Sequence, residues 1–129
     1  MREYRLAEKI EYPEIYKLIK KTFGESALYP EHPTIVCKED NKTIGCLSTN
    51  WIDKGIEVVS LCVDVKIKSF IALRLLEKME KVLQENGLPY YYFVIKQGVE
   101  NKWYKVAQKL NITPYGVKNG YDFYLRMLC

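Results

Sequence analysis

The stretch VDVKIKSFIALRLLEKMEKVLQENG, Val63 to Gly87, carries the pattern with the clearest chemical potential. A run of β-branched residues turns into a long amphipathic helix. At such a turn the free backbone amides of the helix start can grip an anion, aided by the partial positive charge of the helix dipole. Every residue from Lys66 to Ala72 has an amide to offer, and Lys66 and Lys68 could add direct contacts to phosphate oxygens. The turn contains no glycine, however, which would let backbone amides approach an anion without a side chain in the way, and holds Phe70 beside its lysines. A plain strand-to-helix connection with solvated lysines is the alternative reading.

Other chemistries are poorly supported. The four cysteines, Cys37, Cys46, Cys62 and Cys129, form no C-x-x-C pair, and His32 is the only histidine, so no metal is expected. Reduced, partly buried thiols fit a cytoplasmic protein. The net charge of +4 is mild and spread out, compatible with a phosphorylated cofactor; it allows nucleic acid without arguing for it. No apolar run approaches a membrane span, and the N-terminal MREYRLAEKIEYPE has charges where a signal peptide needs apolar residues.

With 129 residues, of which 48% are hydrophobic and 28% charged, residues 1–129 are expected to form a single soluble domain. REYRLA suggests an opening strand. EYPEIYKLIKKTFG suggests a helix stopped at Gly24, with Ile15, Leu18, Ile19 and Phe23 at helical spacing. ESALYPEHP, with its two prolines, reads as a loop. TIVCKEDNKTIGCLSTNW reads as an antiparallel hairpin around a polar turn, and IEVVSLCVDV as a central strand. Next come a helix closed by Gly87, a strand LPYYYFVIK, a helix in VENKWYKVAQKL and a hairpin turning at Asn119-Gly120. Alternation in YYYF puts Tyr90 and Tyr92 on one face and Tyr91 and Phe93 on the other, and core packing explains the run better than base stacking. These elements predict a mixed α/β fold: a mostly antiparallel twisted sheet with helices on both faces.

That order, and three stretches in particular, resemble the GNAT superfamily, the acyl-CoA-dependent N-acetyltransferases, over essentially the whole chain. SLCVDV resembles the family's central strand, YYYFVIK the neighbouring parallel strand that splays from it into a V-shaped cleft, and NKWYKVAQKLNI its final helix. The turn departs from the family pattern: the positions usually held by Arg or Gln, Gly, and Gly or Ala are Ile67, Phe70 and Ala72, and only Ala72 fits.

The resemblance implies acetyl-CoA, or another acyl-CoA, as cofactor and a small-molecule or protein amine as acceptor. Backbone groups at Val63 and Val65 would pair with the pantetheine arm. The turn Lys68, Ser69, Phe70, Ile71, Ala72 would hold the pyrophosphate, Asn101 would contact the cofactor arm, and Tyr104 would protonate the leaving thiolate. A base for the amine should be a carboxylate poised near neutral pH. Glu57 and Asp64 lie on the central strand, and uninterrupted alternation puts them on opposite faces; His32 is a further candidate. A GNAT-shaped domain without catalysis, binding a protein or nucleic acid, is the rival reading. Either a monomer or a homodimer is compatible, the latter by pairing at the terminal hairpin's edge.

Overall fold

A computed structural model describes residues 2–52, 55–63, 71–96, 116–118 and 120–128, apart from the side chains of 94–96, 118 and 121. Its elements are β1 (Arg2–Leu6), α1 (Tyr12–Phe23), β2 (Glu31–Glu39), β3 (Lys42–Ile52), β4 (Gly55–Val63), α2 (Ile71–Glu85), β5 (Tyr90–Lys96), β6 (Gly116–Lys118) and β7 (Tyr121–Met127). The expected strands and first two helices are present. The expected helix in VENKWYKVAQKL lies outside the described residues, as do Asp53, Lys54, Asn119 and Cys129.

The strands form one sheet in the order β1-β2-β3-β4-β5-β7-β6. All neighbours are antiparallel except β4 and β5, which run parallel and are joined by α2. A parallel pair needs such a crossover, because the chain must return to the same end of the sheet.

Each face of the sheet has its own apolar layer. Ile71, Leu75, Leu76, Met79 and Leu83 recur at helical spacing along α2 and pack on Ile35, Leu47, Ile56, Val58, Tyr91 and Phe93. On the other face Tyr12, Ile15 and Ile19 of α1 meet Val36, Cys46 and Cys62. Helix α1 starts with Pro13 in its first turn and stops at Gly24, whose φ of 60° suits a residue without Cβ. Asp40 and Asn41, at φ 52° and 67°, make the tight hairpin between β2 and β3.

The loop expected over ESALYPEHP ends earlier than its two prolines suggest, because β2 already begins at Glu31. Three hydrogen bonds to β3 draw this segment into the sheet. The Trp51 amide donates to Glu31 Oε1 (3.1 Å), the Trp51 indole to the His32 carbonyl (2.9 Å), and the Thr49 hydroxyl to the Pro33 carbonyl (2.7 Å). Among the described residues no helix is long and apolar enough to cross a membrane.

Candidate active site

The parallel pair is where the sheet comes apart. Among the described residues strands β4 and β5 share two rungs, Glu57 opposite Tyr92 and Val58 opposite Phe93. Beyond them, among the described residues, the ladder pairings of Ser60–Val63 are with β3 and those of Val94–Lys96 with β7. The facing edges of the two strands therefore diverge into a wedge that opens toward the carboxyl ends of both. That is where ligands bind in open α/β sheets.

An extra residue in β4 marks the point of divergence. Ser48 of β3 faces Ser60, but the next residue, Thr49, faces Val58, so Val59 has no partner. Such a bulge bends its strand and increases the local twist. It also resets the alternation of side chains. Ile56 and Val58 lie in the α2-side core, and so do Leu61 and Val63, while Cys62 lies in the α1-side core. The expectation that Glu57 and Asp64 sit on opposite faces presumed unbroken alternation, and the bulge between them removes that basis; Asp64 itself is outside the described residues.

Glu57 occupies the closed end of the wedge, on the α1 side of the sheet, between Asn50 of β3 and Tyr92 of β5. Its carboxyl is half buried, and burial pushes its pKa up from the usual carboxylate range. Among the described residues no cation or hydrogen-bond donor offsets that burial, and a raised pKa makes a carboxylate a better proton acceptor. Tyr90 and Tyr92 present their rings on the same face, edge to face at 5.5 Å. One strand away, the buried hydroxyl oxygen of Ser48 has no hydrogen-bond partner among the described residues. Unpartnered buried hydroxyls are uncommon, and this one lies on the rung beside the bulge.

The start of α2 is pressed onto the end of β4. Gly45 faces Val63 across the β3–β4 ladder. A Cβ on Gly45 would lie 3.1 Å from Ile71 Cγ2, 3.3 Å from the Cys62 carbonyl oxygen and 3.3 Å from Leu75 Cδ1. A side chain at Gly45 would make the first turn of the helix, or the side chains it carries, give by a few tenths of an ångström. Residues 64–70 thus link two fixed points, Val63 and Ile71.

Of the residues the sequence singles out, Glu57, Val63, Ile71, Ala72 and His32 are described, and the first four lie at the wedge or at the start of α2. The side chains of Val63 and Ile71 are core, so what they offer a ligand is backbone. Val65, Lys68, Ser69, Phe70, Asn101 and Tyr104 lie outside the described residues. His32 stands apart on β2, exposed. Asn50, Val59 and Tyr92 were not among the candidates. A signal for the bulge is present in the sequence: the polar residues Glu57 and Ser60 are three apart, not two, within one strand.

No protein-family model and no curated protein matches the sequence. Solved structures match the fold. An acetyltransferase of the GNAT family from Staphylococcus aureus Mu50 superposes with a TM-score of 0.76 at 13% identity, covering 100% of both chains. PaiA N-acetyltransferase from Thermoplasma acidophilum, solved in complex with coenzyme A, gives a TM-score of 0.77 at 11% identity over 98% of this chain and 99% of that one. The ribosomal-protein-S18-alanine N-acetyltransferase from Escherichia coli gives 0.73 at 14% identity, covering 99% and 94%. The chain has the GNAT fold, with its mixed seven-stranded sheet and helices on both faces.

Proposed function

We propose that the chain is a member of the GNAT superfamily that transfers an acetyl group from acetyl-CoA to an amine, either a small molecule or a protein. The wedge between β4 and β5, bulged at Val59 and closed by Glu57, is the observation that carries this reading. The residues fit an extended, amide-bearing cofactor arm. Among the described residues Val59–Leu61 have no ladder partner on β5, and such an edge takes up an extended chain by hydrogen bonding, as an added strand would. Amides at the start of α2, with Lys66 and Lys68, would hold the phosphates.

Bound there, acetyl-CoA supplies an activated acyl group that the amine attacks directly. Glu57 takes the proton from the amine nitrogen, directly or through a water. Asn50 and Tyr92 flank it. The role of Tyr104, donating its hydroxyl proton to the departing thiolate, rests on the sequence resemblance alone.

The test is calorimetric titration with acetyl-CoA, followed by thiol-release assays across a panel of amines. Micromolar binding that weakens with salt supports the phosphate turn; no heat at millimolar ligand overturns the reading. Replacing Glu57→Gln should lower turnover by about 10²- to 10⁴-fold while leaving acetyl-CoA affinity unchanged. Because Glu57 acts ionised and its pKa is raised, activity should rise with pH through a midpoint above that of an ordinary glutamate. An unaltered rate in Glu57→Gln would remove it from the mechanism.

A further inference from the structure

A second hollow lies at the other end of α2, on the face of the sheet away from Glu57. Its volume is about 220 Å³, and its walls come from Val82 and Leu83 of α2, from Leu88 just beyond it, from Pro33 of β2 and from Trp51 of β3. Leu83 lies twelve residues along α2 from Ile71, which at about 1.5 Å per residue puts the hollow about 18 Å from the helix start at the wedge.

We propose that this hollow is a binding site for a small, neutral, bicyclic aromatic molecule. Three observations select that class. The first is Trp51, whose side chain is fixed in place while much of it is bare. Its indole N–H donates to the His32 carbonyl at 2.9 Å and its amide to Glu31 at 3.1 Å, yet the residue is 54% exposed. An indole held rigid at the wall of a hollow is a preformed surface for another ring, with no ordering cost left to meet on binding. The second is size. A cavity of about 150 Å³ accepts a single benzene ring, so about half as much space again suits two fused rings.

The third is polarity. Among the described residues no Lys, Arg, Asp or Glu lines the hollow, which favours a neutral ligand. The polar residues described at its rim are His32 and Asn86. The Asn86 amide nitrogen donates to the Val82 carbonyl at 2.7 Å, and this fixes the orientation of the amide. Its oxygen is left as the acceptor for one N–H or O–H on the ligand. A largely apolar hollow with a few polar groups that fix orientation is the usual make-up of a small-molecule site.

The site is independent of the wedge and does not rest on the acetyltransferase reading. The probe is indole, added to ¹⁵N-labelled protein. Saturable shifts are expected at the Trp51 Nε1–H and at the amides of Val82, Leu83, Asn86 and Leu88, with a dissociation constant below about 5 mM. Two variants fill the hollow, Val82→Phe and Leu88→Trp. Either one, with a native spectrum, should weaken indole binding at least about tenfold while leaving acetyl-CoA titrations unchanged. Absence of saturable shifts, shifts centred on Glu57 and Tyr92, or binding undiminished in a folded filled variant would overturn the proposal.

Discussion

Deleting Val59 is the most direct probe of what opens the wedge. The register on either side of it is continuous: Ser60 faces Ser48 and Val58 faces Thr49, so the deletion closes the strand without shifting either flank. The faces are kept too, since Ile56, Val58, Leu61 and Val63 would then alternate regularly on the α2 side. Loss of the half-buried Val59 side chain costs about 1 kcal/mol. Regular pairing with β3 and a longer β4–β5 ladder recover one or two backbone hydrogen bonds, at about 0.5–1.5 kcal/mol each. Stability should therefore stay within about 1–2 kcal/mol of the parent, a few degrees in Tm. Binding should fare differently. A ligand arm that had used two backbone groups on the freed edge would lose about 1–3 kcal/mol, which is about 5- to 150-fold in acetyl-CoA affinity. The assay is calorimetry beside thermal denaturation of the same preparation. A deletion variant that keeps its affinity and turnover would show that the bulge does not open the cleft. One that unfolds would show that Val59 is a structural anchor instead.

Acid should remove a defined part of the stability. Two hydrogen bonds from Arg5, at 2.6 and 2.8 Å, are the main reason that the Glu11 carboxyl is pulled down from 4.5 to about 2. Its contribution is then full above about pH 4.5 and fades as pH falls toward 2. The nominal gap is about 3.4 kcal/mol at 1.36 kcal/mol per pH unit, but Arg5 is a third exposed and screening brings it to about 1–2 kcal/mol. Urea midpoints of Glu11→Gln should accordingly lose that part of the acid dependence. Gly45→Ala should destabilise by about 1–3 kcal/mol and weaken acetyl-CoA binding, because the new methyl meets the Cys62 carbonyl and pushes the first turn of α2 off β4; a neutral urea midpoint would refute the close approach. Cys46 and Cys62 should resist alkylation in the native state. The hydrogen bond with Cys62 and then burial hold the Cys46 thiol well above its usual pKa, and mass mapping should find both labelled only as fast as the protein unfolds. Tyr104→Phe should lower turnover with little change in acetyl-CoA affinity, and an unchanged rate would retire that role.

Much of the architecture is legible in local patterns. Apolar spacing marks α1 and α2, and alternation in YYYF correctly separates Tyr91 and Phe93, fully buried under α2, from Tyr90 and Tyr92. What local patterns hide is pairwise. Prolines at positions 30 and 33 read as loop, yet Glu31–Pro33 join the sheet because Thr49 and Trp51 supply hydrogen bonds from a strand far along the chain. Glu57 could be picked as a strand carboxylate. That it stands beside Asn50 and Tyr92 depends on register across three strands, which no single segment encodes. The bulge is an intermediate case. Its cause is pairing, but its trace, polar residues three apart, lies in the strand itself.

The two-rung ladder raises the question of what holds the halves of the sheet at a fixed spread. Helix α2 is placed to do so. Its first turn is bound to the β1–β4 half, where Ile71 and Leu75 close over Gly45. Further along, Glu80 accepts hydrogen bonds from the Tyr91 hydroxyl at 2.7 Å and from Arg126 Nε at 3.0 Å, on β5 and β7. Tyr91 and Phe93 add the apolar floor beneath it, and Phe93 stacks on Tyr124 at 4.7 Å to join β5 to β7. A crossover needed to make two strands parallel thus also spans the gap between them. The sheet can give up hydrogen bonds along β4 because a helix, packed on both halves, carries the connection that the ladder lacks. That leaves, among the described residues, a stretch of β4 edge without a rung to β5 and held by rigid elements on either side, which is what an extended ligand requires if it is to bind without ordering the protein first.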